Sequence, residues 1–168
     1  MSLNLPHLNA YVGLGSNLGD RAAHLLLGIR GMLDAGLQVT RLSQIYETEP
    51  VETFAQPPFL NLVIELGSAL PPAKELMEQL LRIEQALGRI RDQAKGPRTI
   101  DLDLLLYGNE TSDSEFINLP HPRLPYRRFV LVPLAEIAPA LVHPTLNKTI
   151  SELLEALDDN SAIRRWNP

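Results

Sequence analysis

The stretch GPRTIDLDLLLYG, residues 96 to 108, places Asp101 and Asp103 in alternation with Ile100, Leu102, Leu104 and Leu106. Alternation of this kind belongs to a strand with one face in a core, so an apolar layer has to cover the leucine side. The opposite face then carries two carboxylates side by side. Their alpha carbons lie roughly 6.6 Å apart at a rise of about 3.3 Å per residue. Like charges that close raise each other's pKa and cost stability unless a cation lies between them.

Mg²⁺ suits such a pair, because it takes hard oxygen ligands and usually only one or two protein carboxylates, with water and phosphate oxygens completing its shell. Two-metal sites hold their ions about 3.5–4 Å apart, a spacing that neighbouring carboxylates on one strand face can serve. The bland alternative is a solvent-facing strand edge guarded by two charges, and the pair alone does not decide between them.

The rest of the chain supplies partners for this strand. Residues 9–17 (NAYVGLGSN) read as a first strand ending in Gly-Ser-Asn. Residues 18–36 carry Ala22, Leu25, Leu26, Ile29 and Leu33 at helical spacing, with Gly36 as a C-terminal stop. Residues 37–50 alternate as one strand ended by Pro50, and 59–70 (FLNLVIELGSAL) form another, joined by the polar, Pro-rich VETFAQPP. Residues 71–90 make the clearest helix: Pro71 and Pro72 open it, and Leu76, Leu80, Ile83 and Leu87 form its apolar stripe. Gly108 and Asn109 turn the chain after the Asp-x-Asp strand. Pro120, Pro122 and Pro125 are expected to keep 119–134 out of regular helix, and a short last helix falls near ISELLEALDD.

The order through residue 108 is therefore strand, helix, strand, strand, helix, strand. That is the α+β, ferredoxin-like βαββαβ arrangement, an antiparallel sheet with its helices on one face, here followed by a C-terminal extension. A chain of 168 residues, 45% apolar and 21% charged, is expected to make one domain, 1–168, with a substantial core. A net charge of −5 argues against a nucleic-acid or membrane-surface partner. The absence of cysteine excludes disulfides and thiolate metal sites. No secretory signal is read at the start, and no window approaches the roughly 20 apolar residues of a bilayer span, so a cytoplasmic protein is expected.

Arg82, Arg89, Arg91 and Arg98 crowd near the aspartates, with Arg82 and Arg89 expected on one helix face. A nucleoside triphosphate carries about −4, two Asp add −2, and two Mg²⁺ supply +4, leaving about −2 for cations to meet. Arginines suit this better than lysines, since the planar fork binds phosphate oxygens bidentately. Each arginine alone also fits a surface ion pair, as Glu78–Arg82 would be. LPHPRLPYRRFVLVPL (119–134) adds His121, Arg123, Arg127 and Arg128. On the strand starting at 59, Phe59 and Asn61 point the same way; a ring that stacks and an amide with donor and acceptor in one plane fit a flat, hydrogen-bonding heterocycle. Phe129 could face it from the far side, and Thr48 with Pro50 could wall the edge. The same residues would equally serve as core and a satisfied strand polar.

Taken together, VGLGSNLGD, YETEP, FLN, GRIR, GPRTIDLDLLLYG and PHPRLPYRRFVLVPLAEIAP resemble the 6-hydroxymethyl-7,8-dihydropterin pyrophosphokinase family of folate biosynthesis, over residues 10 to about 144. The resemblance implies transfer of the β,γ-pyrophosphoryl group of ATP to the hydroxymethyl oxygen of the pterin, with release of AMP. It implies that Asp101 and Asp103 hold two Mg²⁺ ions, that Arg89 and Arg98 serve the chemical step, and that Arg91, Arg98, His121 and Arg127, with Glu84 and Leu104, form the ATP site. Thr48, Pro50, Val51, Phe59, Asn61 and Phe129, with Asp101, match the pterin pocket. The implied partners are these two small molecules, with no nucleic acid or membrane, and a monomer is expected.

Departures from the family pattern are Glu49 for the first of two prolines seen in some members and Phe59 for a tyrosine. A further departure is a 91–97 loop one residue short of some relatives, with Lys95 where a tryptophan can cap the pterin. Loops 47–58 and 91–97 are expected to be the moving parts. Two alternatives stay open: a hydrolytic two-metal site, and a ferredoxin-like binding module without turnover.

Overall fold

The computed structural model describes residues 8–50, 56–89 and 98–168. A five-strand path, β5–β1–β4–β3–β8, is built from β1 (Ala10–Ser16), β3 (Tyr46–Thr48), β4 (Phe59–Gly67), β5 (Asp101–Tyr107) and β8 (Ile163–Arg165), with β2 (Gln38–Leu42) also paired to β4. Every pairing in this sheet is antiparallel. Helices α1 (Arg21–Asp34) and α2 (Ala73–Ala86) connect β1 to β2 and β4 to β5. The ferredoxin-like arrangement expected from the pattern is present.

Both crossover helices cover one face. Val12, Leu14, Leu62, Ile64, Leu102 and Leu104 meet Leu25, Met32, Leu76 and Leu80 there. Leu76 and Leu80 are fully buried, and each contributes roughly 1.5–3 kcal/mol by leaving water. On α1 the buried residues are Leu25, Gly28 and Met32. Leu26 and Leu33 stand exposed instead of buried. Gly28 takes a place on the buried side instead, where an added methyl would touch Ile100 and Leu14 at 3.4 Å.

Three further expectations need correction. The single strand over 37–50 is two: Ser43 interrupts it, its N–H donating to the Val63 carbonyl and its hydroxyl accepting from the Val63 N–H. Arg89 does not continue the α2 face. Gly88 adopts a left-handed φ of 82°, and its N–H and that of Arg89 donate to Gln85 O and Glu84 O, reversing the chain inward. Finally, the proline-rich segment does enter a helix: after a 3₁₀ turn at Leu124–Tyr126, α3 runs Arg128–Ile137 with Pro133 inside it.

The C-terminal extension is a layer on the opposite face. A small hairpin, β6 (Ser112–Asp113) with β7 (Asn118–Leu119), precedes α3, and α4 (Ile150–Ala156) follows, started by a Thr149–Glu152 capping box. Val130, Leu131 and Leu134 of α3 pack on Tyr11, Val63 and Leu105. This layer leaves the end of the sheet near Gly13 and Gly15 uncovered. The chain then returns as β8, an element the sequence pattern did not signal, and pairs Ile163 with Thr48.

Candidate active site

The uncovered face holds a cavity of about 450 Å³, within the usual range for a small-molecule site. Its floor is the register of three strands: Gly15 lies between Asp101 and Asn61, and Gly13 between Asp103 and Val63. Two glycines on one face of β1 leave that floor flat. A Cβ at Gly15 would stand 3.1 Å from the Asn61 Oδ1, so even alanine crowds the amide. The signal was present in VGLGSN, as glycines two apart on a strand, but pattern reading treats glycine there as a strand breaker.

One end of the cavity is acidic and capped by arginine. Arg98 Nη1 donates to Asp101 Oδ2 at 2.7 Å, and Arg89 donates to Asp101 Oδ1. Glu84, 2% exposed, lies beneath: its Oε1 accepts from Arg89 at 2.7 Å and from the Leu102 N–H at 2.7 Å. Burial alone would lower the Arg89 pKa; the charges of Asp101 and Glu84 outweigh it and raise it. Burial first, and then the Asp101 charge, push Asp103 up to about 7, against the opposing pull of Arg127 and Arg89. Asp101, for its part, is tied to two guanidinium groups.

A cation fits this donor set. Among the described residues no group of three or more His, Cys, Asp or Glu could enclose a metal. Two carboxylates suit an ion that takes its remaining oxygens from water and a bound polyphosphate, and both Asp101 oxygens keep a second lone pair beyond their arginine bonds.

The other end is built for a ring. Phe59, Asn61, Thr48, Pro50 and Phe129 all line the cavity. Asn61 Nδ2 donates to Thr48 Oγ1 at 2.7 Å, which fixes the amide plane. Arg127 stacks over Phe129 at 5.4 Å and lines the cavity too. His121 sits beside β5, its N–H donating to Leu105 O and its Nδ1 accepting from the Arg123 N–H, so Nε2 carries the proton. Burial, and then Arg127, push its pKa down to about 4, leaving it neutral.

The other expected residues fall elsewhere. The Leu104 side chain lies in the core under α1 and α2, on the face away from the cavity, and can offer a nucleotide only backbone. Glu84 is a support beneath Arg89. Arg82 is exposed on α2 and makes no ion pair with Glu78. Arg128 donates to Ser161 O, holding the C-terminal segment. Val51, Arg91 and Lys95 lie outside the described residues, as do all of loop 91–97 and residues 51–55 of loop 47–58. Arg123, expected with the basic cluster, lines the cavity; residues not anticipated are Gln56 and Tyr126, which also line it, Tyr126 at 71% exposure, and Asn17, which donates to Gln56. Asn17 meets Gln56 and Arg98, both distant in sequence, so no local pattern marked it.

A carboxylate pair under arginines, opening into the same space as an aromatic–amide slot, has the parts that phosphoryl-type transfer to a flat second substrate requires. Comparison with known proteins is more specific. The sequence model of the 7,8-dihydro-6-hydroxymethylpterin-pyrophosphokinase (HPPK) family matches residues 11–139, and the chain belongs to that family. It is 41% identical over 158 residues to the 2-amino-4-hydroxy-6-hydroxymethyldihydropteridine pyrophosphokinase of Bacillus subtilis, covering 94% of this chain and 89% of that one. It is 41% identical over 150 residues to the folic acid synthesis protein fol1 of Pneumocystis carinii, covering 89% of this chain and 20% of that one. In the crystal structure of Plasmodium falciparum HPPK-DHPS with pteroate, the likeness has a TM-score of 0.68 at 15% identity over 89% of this chain and 44% of that one. That likeness speaks for the fold. The chain spans less than half of these two longer proteins.

Proposed function

We propose that the cavity is where the β,γ-pyrophosphoryl group of ATP passes to 6-hydroxymethyl-7,8-dihydropterin, the reaction that family membership assigns to this chain and a step of folate biosynthesis. The hydroxymethyl oxygen bonds to the β-phosphorus, the bond from that phosphorus to the α-phosphate oxygen breaks, and AMP leaves. One observation carries the reading: Asp101 and Asp103 share a single space with Phe59, Asn61 and Phe129. Donor and acceptor can therefore lie side by side without a covalent intermediate.

Asp101 and Asp103 would hold Mg²⁺, two ions in the full charge balance, which supplies neutralisation of the triphosphate. Arg98 and Arg127 face the same space and meet the remaining negative charge; Arg89 holds Asp101 in place from behind. His121 lies beside β5 and outside the cavity lining, so its neutral Nε2–H would serve only a phosphate oxygen that reaches beyond that lining. Phe59 and Phe129 stack the pterin, and Asn61, with its amide locked by Thr48, reads the ring's polar edge. Leu104 contributes at most its backbone. The chain works as one domain and as a monomer in this reading.

The test is the nucleotide product. ATP, Mg²⁺ and hydroxymethyl-dihydropterin incubated with the protein should give AMP and the pterin diphosphate in equal amounts. Formation of ADP, or hydrolysis without the pterin, would replace this reading with a kinase or a hydrolase.

A further inference from the structure

The sheet registers Asp101 and Asn61 against β1, but the ladder ends there: Gly15 pairs with Asp101 and Ser16 with Leu60. Arg98 on one side and residues 56–58 on the other lie beyond it. Asn17, the next residue of β1's path and 1% exposed, reaches both. Its N–H donates to Arg98 O at 3.0 Å, and the Arg98 N–H donates to Asn17 Oδ1 at 2.7 Å. Its Nδ2 donates to Gln56 Oε1 at 3.2 Å and to Pro57 O at 3.2 Å.

We infer that Asn17 is a positioning residue that fixes Arg98 relative to the segment leading into Phe59, and so sets the distance between the phosphate end and the ring end of the site. The inference rests on the functional reading above. Only an amide meets the demand: one acceptor and two donors in one plane, with the donors aimed at two oxygens. Aspartate keeps the bond from the Arg98 N–H but turns a negative oxygen toward Gln56 and Pro57. Alanine loses all three side-chain bonds. Each half of the site keeps its own ligand contacts when Asn17 is changed, since Arg98 still binds Asp101 and Asn61 still binds Thr48. What is lost is their mutual alignment, and a displacement of about 1 Å at a reacting centre can cost on the order of 10²-fold in rate.

The experiment compares wild type, Asn17→Ala and Asn17→Asp. The affinity for the pterin, and separately for a non-hydrolysable ATP analogue with Mg²⁺, is measured by calorimetry, and kcat by AMP release. Both variants should bind each ligand within about threefold of wild type while kcat falls on the order of 10²-fold. Melting curves establish that each variant is folded; should Asn17→Ala not fold, Asn17→Asp, which keeps the Arg98 bond, carries the test. An unchanged kcat, affinities that fall in step with kcat, or failure of both variants to fold would each overturn the inference. A wild-type protein that yields no AMP would sink the functional reading instead, so the two failures are distinguishable.

Discussion

Replacing Glu84 tests the support beneath the acidic pair. Its carboxylate is buried, accepts from the Leu102 N–H at 2.7 Å and pairs with Arg89 at 2.7 Å. Glu84→Ala leaves the N–H of a strand residue that is itself 2% exposed without that acceptor, a loss of about 1–3 kcal/mol. It also removes one partner of a buried ion pair, which costs about 3–5 kcal/mol where the other charge is left alone. Arg89 retains Asp101, and relief of repulsion on Asp103 offsets part of the loss. The expected total is therefore about 3 kcal/mol, out of a usual 5–15 kcal/mol for a domain. Glu84→Gln keeps an acceptor for Leu102 and loses only the charge, and should cost about 1 kcal/mol. Urea unfolding with unchanged slope gives both values from the midpoints. In both variants kcat should fall, because Arg89 keeps Asp101 but loses the Glu84 charge that fixes its own orientation. Equal destabilisation by alanine and glutamine would refute the role given to the Leu102 bond. An alanine variant within about 0.5 kcal/mol of wild type would refute the whole account of Glu84.

Asp103→Ala should abolish AMP formation while the melting temperature holds or rises, because it removes a carboxylate that burial and Asp101 already disfavour; full activity would end the cation role. Arg98→Ala should lower kcat far more than the affinity for pterin, and an unchanged kcat would remove Arg98 from the chemical step. For His121 the folded pKa of about 4 lies below the unfolded value, so the unfolded chain binds more protons between the two. Its contribution to stability is therefore present above about pH 6.5 and lost as pH falls toward 4. An NMR titration should place the His121 midpoint near 4, and a midpoint above 6 would contradict a neutral donor.

Much of the layout follows from the chain's own local rules. Alternation in TIDLDLLLYG and the stripe of Leu76 and Leu80 impose a strand and a helix whatever their surroundings, because burying those faces is the main favourable term. The Asp-x-Asp spacing puts both carboxylates on one side of a strand by geometry alone, and Phe59 with Asn61 likewise. The order of these elements then leaves the ferredoxin-like sheet as the natural way to cover them.

Tertiary structure decided the rest, wherever the deciding partner is remote in sequence. The hydroxyl of Ser43, meeting Val63, splits one expected strand into two. Gly88 turns Arg89 away from α2 and onto Asp101, twelve residues on. The helix over Arg128–Ile137 forms despite Pro133 because its apolar side is taken up by Tyr11, Val63 and Leu105. How burial raises Asp103, and how Asn17 ties Arg98 to Gln56, depend on neighbours and donors brought together only when the sheet closes. Hydrogen bonds and Coulomb forces act across a few ångströms of space, and sequence distance does not report that separation.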